Sequence, residues 1–360
     1  MQVLLDATPL ARGHAQRGIG VVTRELIAAL ARVRPPDQRP HLLVTSHQAA
    51  PSGFEAHPIR WPQWPLQRIP DPWPAVRLHS VLDNLRPELV HVTQTDLMPD
   101  PRQFPTVVTC YDLIPLHHPM RNPLARHVYG TYLQRLGRAQ MVVAISQATA
   151  DDLTLQLGIP ETRIRVVPLG MPPTTEPSGS TPTRPYVLYA NAIEPHKNPE
   201  LALSALALTR DVDLVMTGVW SGHRLAQLHE LAATLGIVDR VQWLGYIPAA
   251  QLAALRRDAI ATLVPSRLEG FGFPVLESLA AGTPALAADI PALREAGGDV
   301  ASYLDPNDPD AWGRAISRLA AQPDERREIG GRGRAHAASF TWERTAEGTI
   351  DAWREVLRGV

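Results

Sequence analysis

Short apolar runs alternate with stretches of helical periodicity along most of the chain; the alternation breaks once and then restarts. Residues 3–6, 41–45, 89–93, 106–110, 141–145 and 164–167 are apolar nearly throughout rather than at every second position, the pattern of strands buried on both faces. Helical spacing over 21–32 and 148–156 falls between them. Such a chain folds as a parallel sheet with helices on both faces. Segment 168–185 carries six prolines among Ser, Thr and Gly and has no periodicity, so it reads as a linker. Beyond it, strands are expected at 186–189, 214–217, 241–244, 260–264 and 285–288, and helices at 199–208, 224–235, 249–256 and 274–281. The expected fold class is α/β, with two doubly wound Rossmann-like domains facing each other across a cleft at the carboxyl ends of their sheets. The first domain would span 1–168, the linker 169–185 and the second domain 186–340. Residues 341–360 are expected to form a C-terminal helix, with packing back onto the first domain left open.

With 360 residues, 44% hydrophobic and 20% charged, the chain has the composition of a globular protein large enough for two cores. A net charge of -1 provides no basic field, which argues against a nucleic-acid partner. Cys110 is the single cysteine, so no intrachain disulfide forms and no thiolate cluster holds zinc. The start reaches Asp6 too soon for the apolar core of a signal peptide, and no run of 18 apolar residues occurs. These features lead to the expectation of a soluble, cytoplasmic protein. Segment 51–74, with seven prolines, Trp61, Trp64, Trp73, Arg60 and Arg68, has two readings. It is either a long surface loop with its indoles packed on the first domain, or a patch suited to a lipid headgroup boundary, giving peripheral contact at the inner face of a membrane.

Of the 35 basic residues, 34 are Arg and one is Lys197, in Glu194-Pro195-His196-Lys197-Asn198. A chain that uses Arg elsewhere keeps one compact ammonium here. Lys197 follows the strand expected at 186–189, so it belongs to the carboxyl edge of the second sheet, where it would neutralise a departing diphosphate; otherwise it is a surface lysine. Segment 265–277, Pro-Ser-Arg-Leu-Glu-Gly-Phe-Gly-Phe-Pro-Val-Leu-Glu, leaves the same edge. Pro274 suits the first position of a helix that Gly282 and Thr283-Pro284 end. Free N–H groups at Val275 and Leu276 would then hold phosphate oxygens, while Gly270 and Gly272 would let a ligand approach the backbone. Glu269 and Glu277 would accept hydrogen bonds from sugar or ribose hydroxyls. The plainer reading is a capped helix after a tight turn, with Glu277 solvated near its positive end.

Over nearly its whole length the chain resembles glycosyltransferase family 4, the retaining sugar-nucleotide transferases of the two-domain GT-B fold. The similarity runs through Arg17-Gly18-Ile19-Gly20, Tyr111-Asp112-Leu113-Ile114-Pro115-Leu116, Val143-Ala144-Ile145-Ser146 and Val167-Pro168-Leu169-Gly170. It continues in Glu194–Asn198, Leu244-Gly245-Tyr246, the Glu269 and Glu277 pair and Ala280-Ala281-Gly282-Thr283-Pro284. The Glu-x7-Glu spacing within Glu-Gly-Phe-Gly-x-Pro is the most specific of these signals. The resemblance implies that Glu277 binds the nucleotide ribose, and that Glu269, Gly270 and the amides of Phe271, Gly272 and Phe273 hold the donor sugar. Lys197 and the helix start at Val275 would grip the diphosphate, and the base would lie near Tyr246 and Ile247. Gly18, Gly20 and Asp112 of the first domain would come over the donor on closure, making Lys197, Glu269 and Asp112 the catalytic candidates.

Two positions depart from the family pattern. Members often carry Arg six residues before the lysine, where this chain has Asn191; a protonated His196 would be a substitute cation. Members also often have His where Tyr111 stands, although a branch reads Tyr-Asp-Leu-Ile-Pro; the Tyr111 phenol would donate to the sugar, and His118 is a weak acceptor-side candidate. Asp211-Val212-Asp213 matches a metal-binding triplet of other glycosyltransferases but opens a strand away from other oxygen ligands. Gly18-x-Gly20 is a partial dinucleotide fingerprint, with Thr23 replacing the third Gly. The histidines, His117 and His118 included, lack paired spacing with carboxylates.

The function expected from the resemblance is retaining, metal-independent transfer from a nucleoside-diphosphate sugar to an acceptor hydroxyl, without a cofactor. The acceptor would be a glycan or lipid-linked glycan of bacterial cell-surface polysaccharide synthesis. The alternatives are a sugar-nucleotide epimerase of the same fold and a non-catalytic sugar-nucleotide-binding subunit.

Overall fold

The computed structural model describes residues 1–11, 18–45, 51–59, 74–93, 97–117, 123–220 and 222–359. The chain forms two compact units, one of residues 1–170 and 341–360, the other of residues 171–340. The boundaries therefore fall at Gly170/Met171 and Phe340/Thr341. The proline-rich residues 171–185, read as linker, belong to the second unit.

The first unit carries a seven-stranded sheet: β1 (Val3–Asp6), β2 (His41–Thr45), β3 (Ala56–Ile59), β4 (Leu89–Val92), β5 (Thr106–Cys110), β6 (Met141–Ala144) and β7 (Ile164–Val166). Its order is β3-β2-β1-β4-β5-β6-β7 with every pairing parallel. β1, β4, β5 and β6 are buried along their whole length, as their apolar runs require. β3 corrects the surface-loop reading of 51–74 over residues 56–59. Pro58 argues against a central strand, but β3 lies at the sheet edge, where a missing N–H breaks no ladder. Residues 60–73, with Trp61, Trp64 and Trp73, lie outside the described residues, and Pro74–Leu85 is helical.

The helix Trp342–Arg358 completes this unit by packing on the helix Gly18–Val33. A Cβ at Gly170 would stand 2.5 Å from the Trp342 nitrogen, so only glycine lets the chain pass there. The Thr345 hydroxyl donates to the Pro168 carbonyl at 2.8 Å. Trp353, fully buried, donates its indole N–H to His91 Nδ1 at 3.0 Å, and His91 Nε2 meets the Thr109 hydroxyl at 2.8 Å. His91 is therefore a neutral imidazole with both nitrogens bonded, and burial lowers its pKa to about 3.

The second unit carries β8 (Tyr186–Ala190), β9 (Asp213–Thr217), β10 (Val241–Gly245), β11 (Thr262–Val264), β12 (Ala285–Ala288) and β13 (Ser302–Leu304) in the order β10-β9-β8-β11-β12-β13, all parallel. Strand order reverses between β8 and β11. At such a switch point the loops leave in opposite directions and a doubly wound sheet opens a crevice. No helix among the described residues is long and apolar enough to cross a membrane.

Candidate functional site

The loops after β8 and β11 flank the reversal in the second unit, and they are stitched together. Asn198 ends the turn Pro195–Lys197 in the left-handed region (φ 54°, ψ 47°), which asparagine tolerates better than most residues. Its buried side-chain amide donates to the carbonyls of Pro306 at 2.9 Å and Pro265 at 3.2 Å. The Arg267 N–H donates to the His196 carbonyl at 2.7 Å. Between these ties Lys197 Nζ stands 2.8 Å from Glu269 Oε2, with the side chains 15% and 9% exposed. The other carboxylate oxygen, Oε1, accepts from the buried Ser266 hydroxyl at 2.8 Å. Below the pair, the Tyr189 hydroxyl donates to the Ala192 carbonyl at 2.6 Å; burial, and then the charge of Glu269, holds its pKa well above the usual phenol range.

The helix after the turn begins at Phe273, and Gly272 caps it in the left-handed region (φ 106°). The Gly272 carbonyl accepts from the N–H of Val275 at 3.0 Å and of Leu276 at 3.4 Å. This corrects the expectation that those two amides are open to phosphate: the cap already takes both. The amides of Phe271, Gly272 and Phe273 have no acceptor among the described residues. Gly272 also corrects the reading of its glycine as room for a ligand. A Cβ there would stand 2.9 Å from Ala296 Cβ and 3.0 Å from Leu293 Cδ2. Gly272→Ala is expected to cost about 2–5 kcal/mol in denaturant unfolding, from the left-handed backbone and the overpacking together. Gly270 and Phe273 are partly exposed on the turn, and Phe271 is buried edge-on against Phe273.

Glu277 is not simply solvated: its Oε2 is paired with Arg256 from the helix Ala249–Asp258. No local spacing signals that partner, because it comes from a separate helix. Asn191 turns in on its own loop, with its Oδ1 accepting from the Ala192 N–H at 2.9 Å and its carbonyl from the Trp220 indole at 3.2 Å. Arg224 braces the same loop by donating from Nε to the Ile193 carbonyl at 3.1 Å while pairing with Glu200. Tyr246 is 76% exposed, whereas its neighbour Ile247 packs on the core cluster of Tyr186, Leu188 and Leu255. Asp211 and Asp213 lie at the amino end of β9, opposite the edge that carries Lys197.

In the first unit, Gly18 and Gly20 stand in the first turn of the helix Gly18–Val33 rather than in a turn before it. Arg17 and His118 lie outside the described residues. Tyr111 is half-buried, and burial of its phenol, with the charge of Asp6 nearby, raises its pKa above the usual phenol range. Asp112 Oδ1 accepts from the Ile114 N–H at 3.0 Å, an Asx turn leading into the short helix Ile114–His117. His117, read as unpaired, has its Nε2 3.0 Å from Asp152 Oδ2.

Two family models match in succession: Glycosyltransferase Family 4 over residues 16–175 and Glycosyl transferases group 1 over residues 173–336. O-antigen chain mannosyltransferase B of Escherichia coli is 30% identical over 268 residues, 69% of this chain and 68% of that protein. The chain belongs to glycosyltransferase family 4. A D-inositol 3-phosphate glycosyltransferase of Segniliparus rotundus is 34% identical over 252 residues, 63% of this chain and 56% of that protein. The alignment thus spans little more than half the length of that relative. Among solved structures, sucrose-phosphate synthase from Thermosynechococcus elongatus superposes with a TM-score of 0.79 at 20% identity, covering 100% of both chains. Anabaena HepE in complex with UDP-glucose superposes with a TM-score of 0.69 at 15% identity, covering 98% of this chain and 99% of that one. At these identities the likeness is one of fold, and the two Rossmann-like units of this family-4 chain are those of the GT-B class.

Proposed function

We propose that this family-4 chain is a retaining glycosyltransferase that moves a sugar from a nucleoside-diphosphate donor to a hydroxyl of a bacterial surface glycan. The observation that carries the reading is the clamped Lys197–Glu269 pair beside three unbonded amides on one crevice edge. Breaking the anomeric C–O bond puts positive charge on the sugar ring and negative charge on the diphosphate. Lys197 gives one N–H to Glu269 and keeps two for phosphate oxygens. Glu269, held on both oxygens, sits ready for the ring's positive charge without reorganising. The amides of Phe271, Gly272 and Phe273 supply further donors to the donor sugar or its phosphates. Glu277 keeps Oε1 for the ribose hydroxyls while Arg256 fixes Oε2. The leaving phosphate oxygen takes the acceptor proton as the new glycosidic bond forms on the same face, so no separate base is needed and configuration is retained. The mannosyltransferase relative and the UDP-glucose complex of HepE support the donor class.

The test is a binding and turnover panel of UDP, GDP and their sugars, read by thermal shift and product analysis. One nucleoside diphosphate should stabilise the protein, and its sugar should be transferred with retention. Glu277→Gln should weaken that nucleotide about 10–100-fold, the loss of a charged hydrogen bond. Initial transfer rates should persist in EDTA, because the ammonium and the amides do the work a metal would otherwise do; strict dependence on Mn²⁺ would return attention to Asp211 and Asp213. A donor that isomerises alone, or that binds with neither transfer nor hydrolysis, would replace the transferase with one of the two alternatives.

A further inference from the structure

At the amino ends of β2 and β3, parallel pairing places Leu43 opposite His57 and Leu42 opposite Ala56, and the Leu42 N–H donates to the Glu55 carbonyl at 2.8 Å. This register gathers three side chains that are scattered in sequence. His41 Nδ1 is 3.0 Å from His57 Nε2 and 3.5 Å from Glu55 Oε2, and His57 Nε2 is 3.7 Å from Glu55 Oε1. We propose that His41, Glu55 and His57 form a binding site for one divalent transition-metal ion of the zinc type, a site independent of the transfer reaction.

The triangle has the right size. Ligand atoms about 2.0–2.2 Å from a tetrahedral ion lie roughly 3.3–3.5 Å from one another, so an ion enters with shifts of a few tenths of an ångström. Two imidazoles and a carboxylate suit zinc, cobalt or nickel, whereas magnesium and calcium favour sites made wholly of oxygen. The histidines are 20% and 22% exposed and the carboxylate 68%, which leaves the fourth position open to water. The approach to Glu55 is fastened independently of any ion. Arg39 donates to the Gly53 carbonyl at 3.1 Å and covers the Phe54 ring at 5.5 Å from its centroid. Asp6 and Cys110 mark the opposite, carboxyl edge of the same sheet, so the ion would act on the fold rather than on substrate. It would clip the four-residue edge strand β3, in which Pro58 offers no N–H, to β2.

Untagged protein, stripped with chelator and dialysed, should take up one Zn²⁺ per chain in a competition titration and raise its melting temperature on doing so. Co²⁺ at the same stoichiometry should show the intense visible absorption of four-coordinate cobalt. His57→Gln should remove both the uptake and the shift. Glu55→Gln, at a side chain 68% exposed, should weaken binding at least about tenfold, typical for loss of a ligand or its support. No stoichiometric uptake by the wild type, or uptake equally tight in both variants, would overturn the site.

Discussion

Lys197→Ala is expected to cut turnover by about 10²–10³-fold, the effect of removing one well-placed donor from a developing anion. The same change removes the partner of a carboxylate that is only 9% exposed. A buried charge left alone costs about 3–5 kcal/mol, so the variant should also lose stability. The two effects separate in Lys197→Ala combined with Glu269→Gln. Neutralising the abandoned carboxylate should restore most of the stability, with the amide still able to accept from Ser266, while turnover stays low. Lys197→Arg should rescue poorly, because a planar guanidinium cannot occupy the place of a compact ammonium held 2.8 Å from Glu269. Wild-type turnover in Lys197→Ala, measured at saturating donor, would remove the proposed role.

The first unit should be acid-labile through His91. Its folded pKa of about 3 lies below the ordinary value of 6.5, because burial disfavours the charged ring. Between those values the unfolded chain binds a proton that the folded unit refuses, so stability is full above about pH 6.5 and falls as pH drops. The loss is about 1.4 kcal/mol per pH unit, or about 2.7 kcal/mol at pH 4.5. His91→Gln keeps an acceptor for the Trp353 indole and a donor for Thr109, but cannot be protonated. Amide exchange in β4 and β5, followed at pH 7.5 and 4.5, should show the acid-induced opening in the wild type and much less of it in the variant. Equal pH dependence in both would show that other groups govern the acid response.

Much of this architecture is legible in the chain because doubly buried parallel strands leave continuous apolar runs; β1, β2, β5 and β12 carry the bounds their runs suggest. β3 and β13 are not legible for a physical reason. One is an edge strand that tolerates Pro58, the other is three half-buried residues with no apolar run. The single Lys and the paired Glu stand out as composition and motif, and the loops that carry them flank one switch point. Their supports do not stand out: Arg256 and Asn198 act across 21 and 67 residues, and only the fold brings those ends together. The bonding of the Val275 and Leu276 amides is not legible, because a helix start read from Pro274 leaves out the carbonyl of Gly272 that takes both. The triad of His41, Glu55 and His57 was invisible for the same reason as β3, since a strand register, not a spacing, assembles it.

One unit is discontinuous: its sheet is laid down by residue 166, yet Trp353, which fills the space beside His91, arrives only with the final helix. On the ribosome, the inserted unit is fully translated while its host still lacks an internal wall, so a nascent chain halted before residue 342 would carry a folded guest beside an incomplete host. Such an intermediate presents apolar surface to chaperones and proteases for as long as synthesis of the intervening residues lasts.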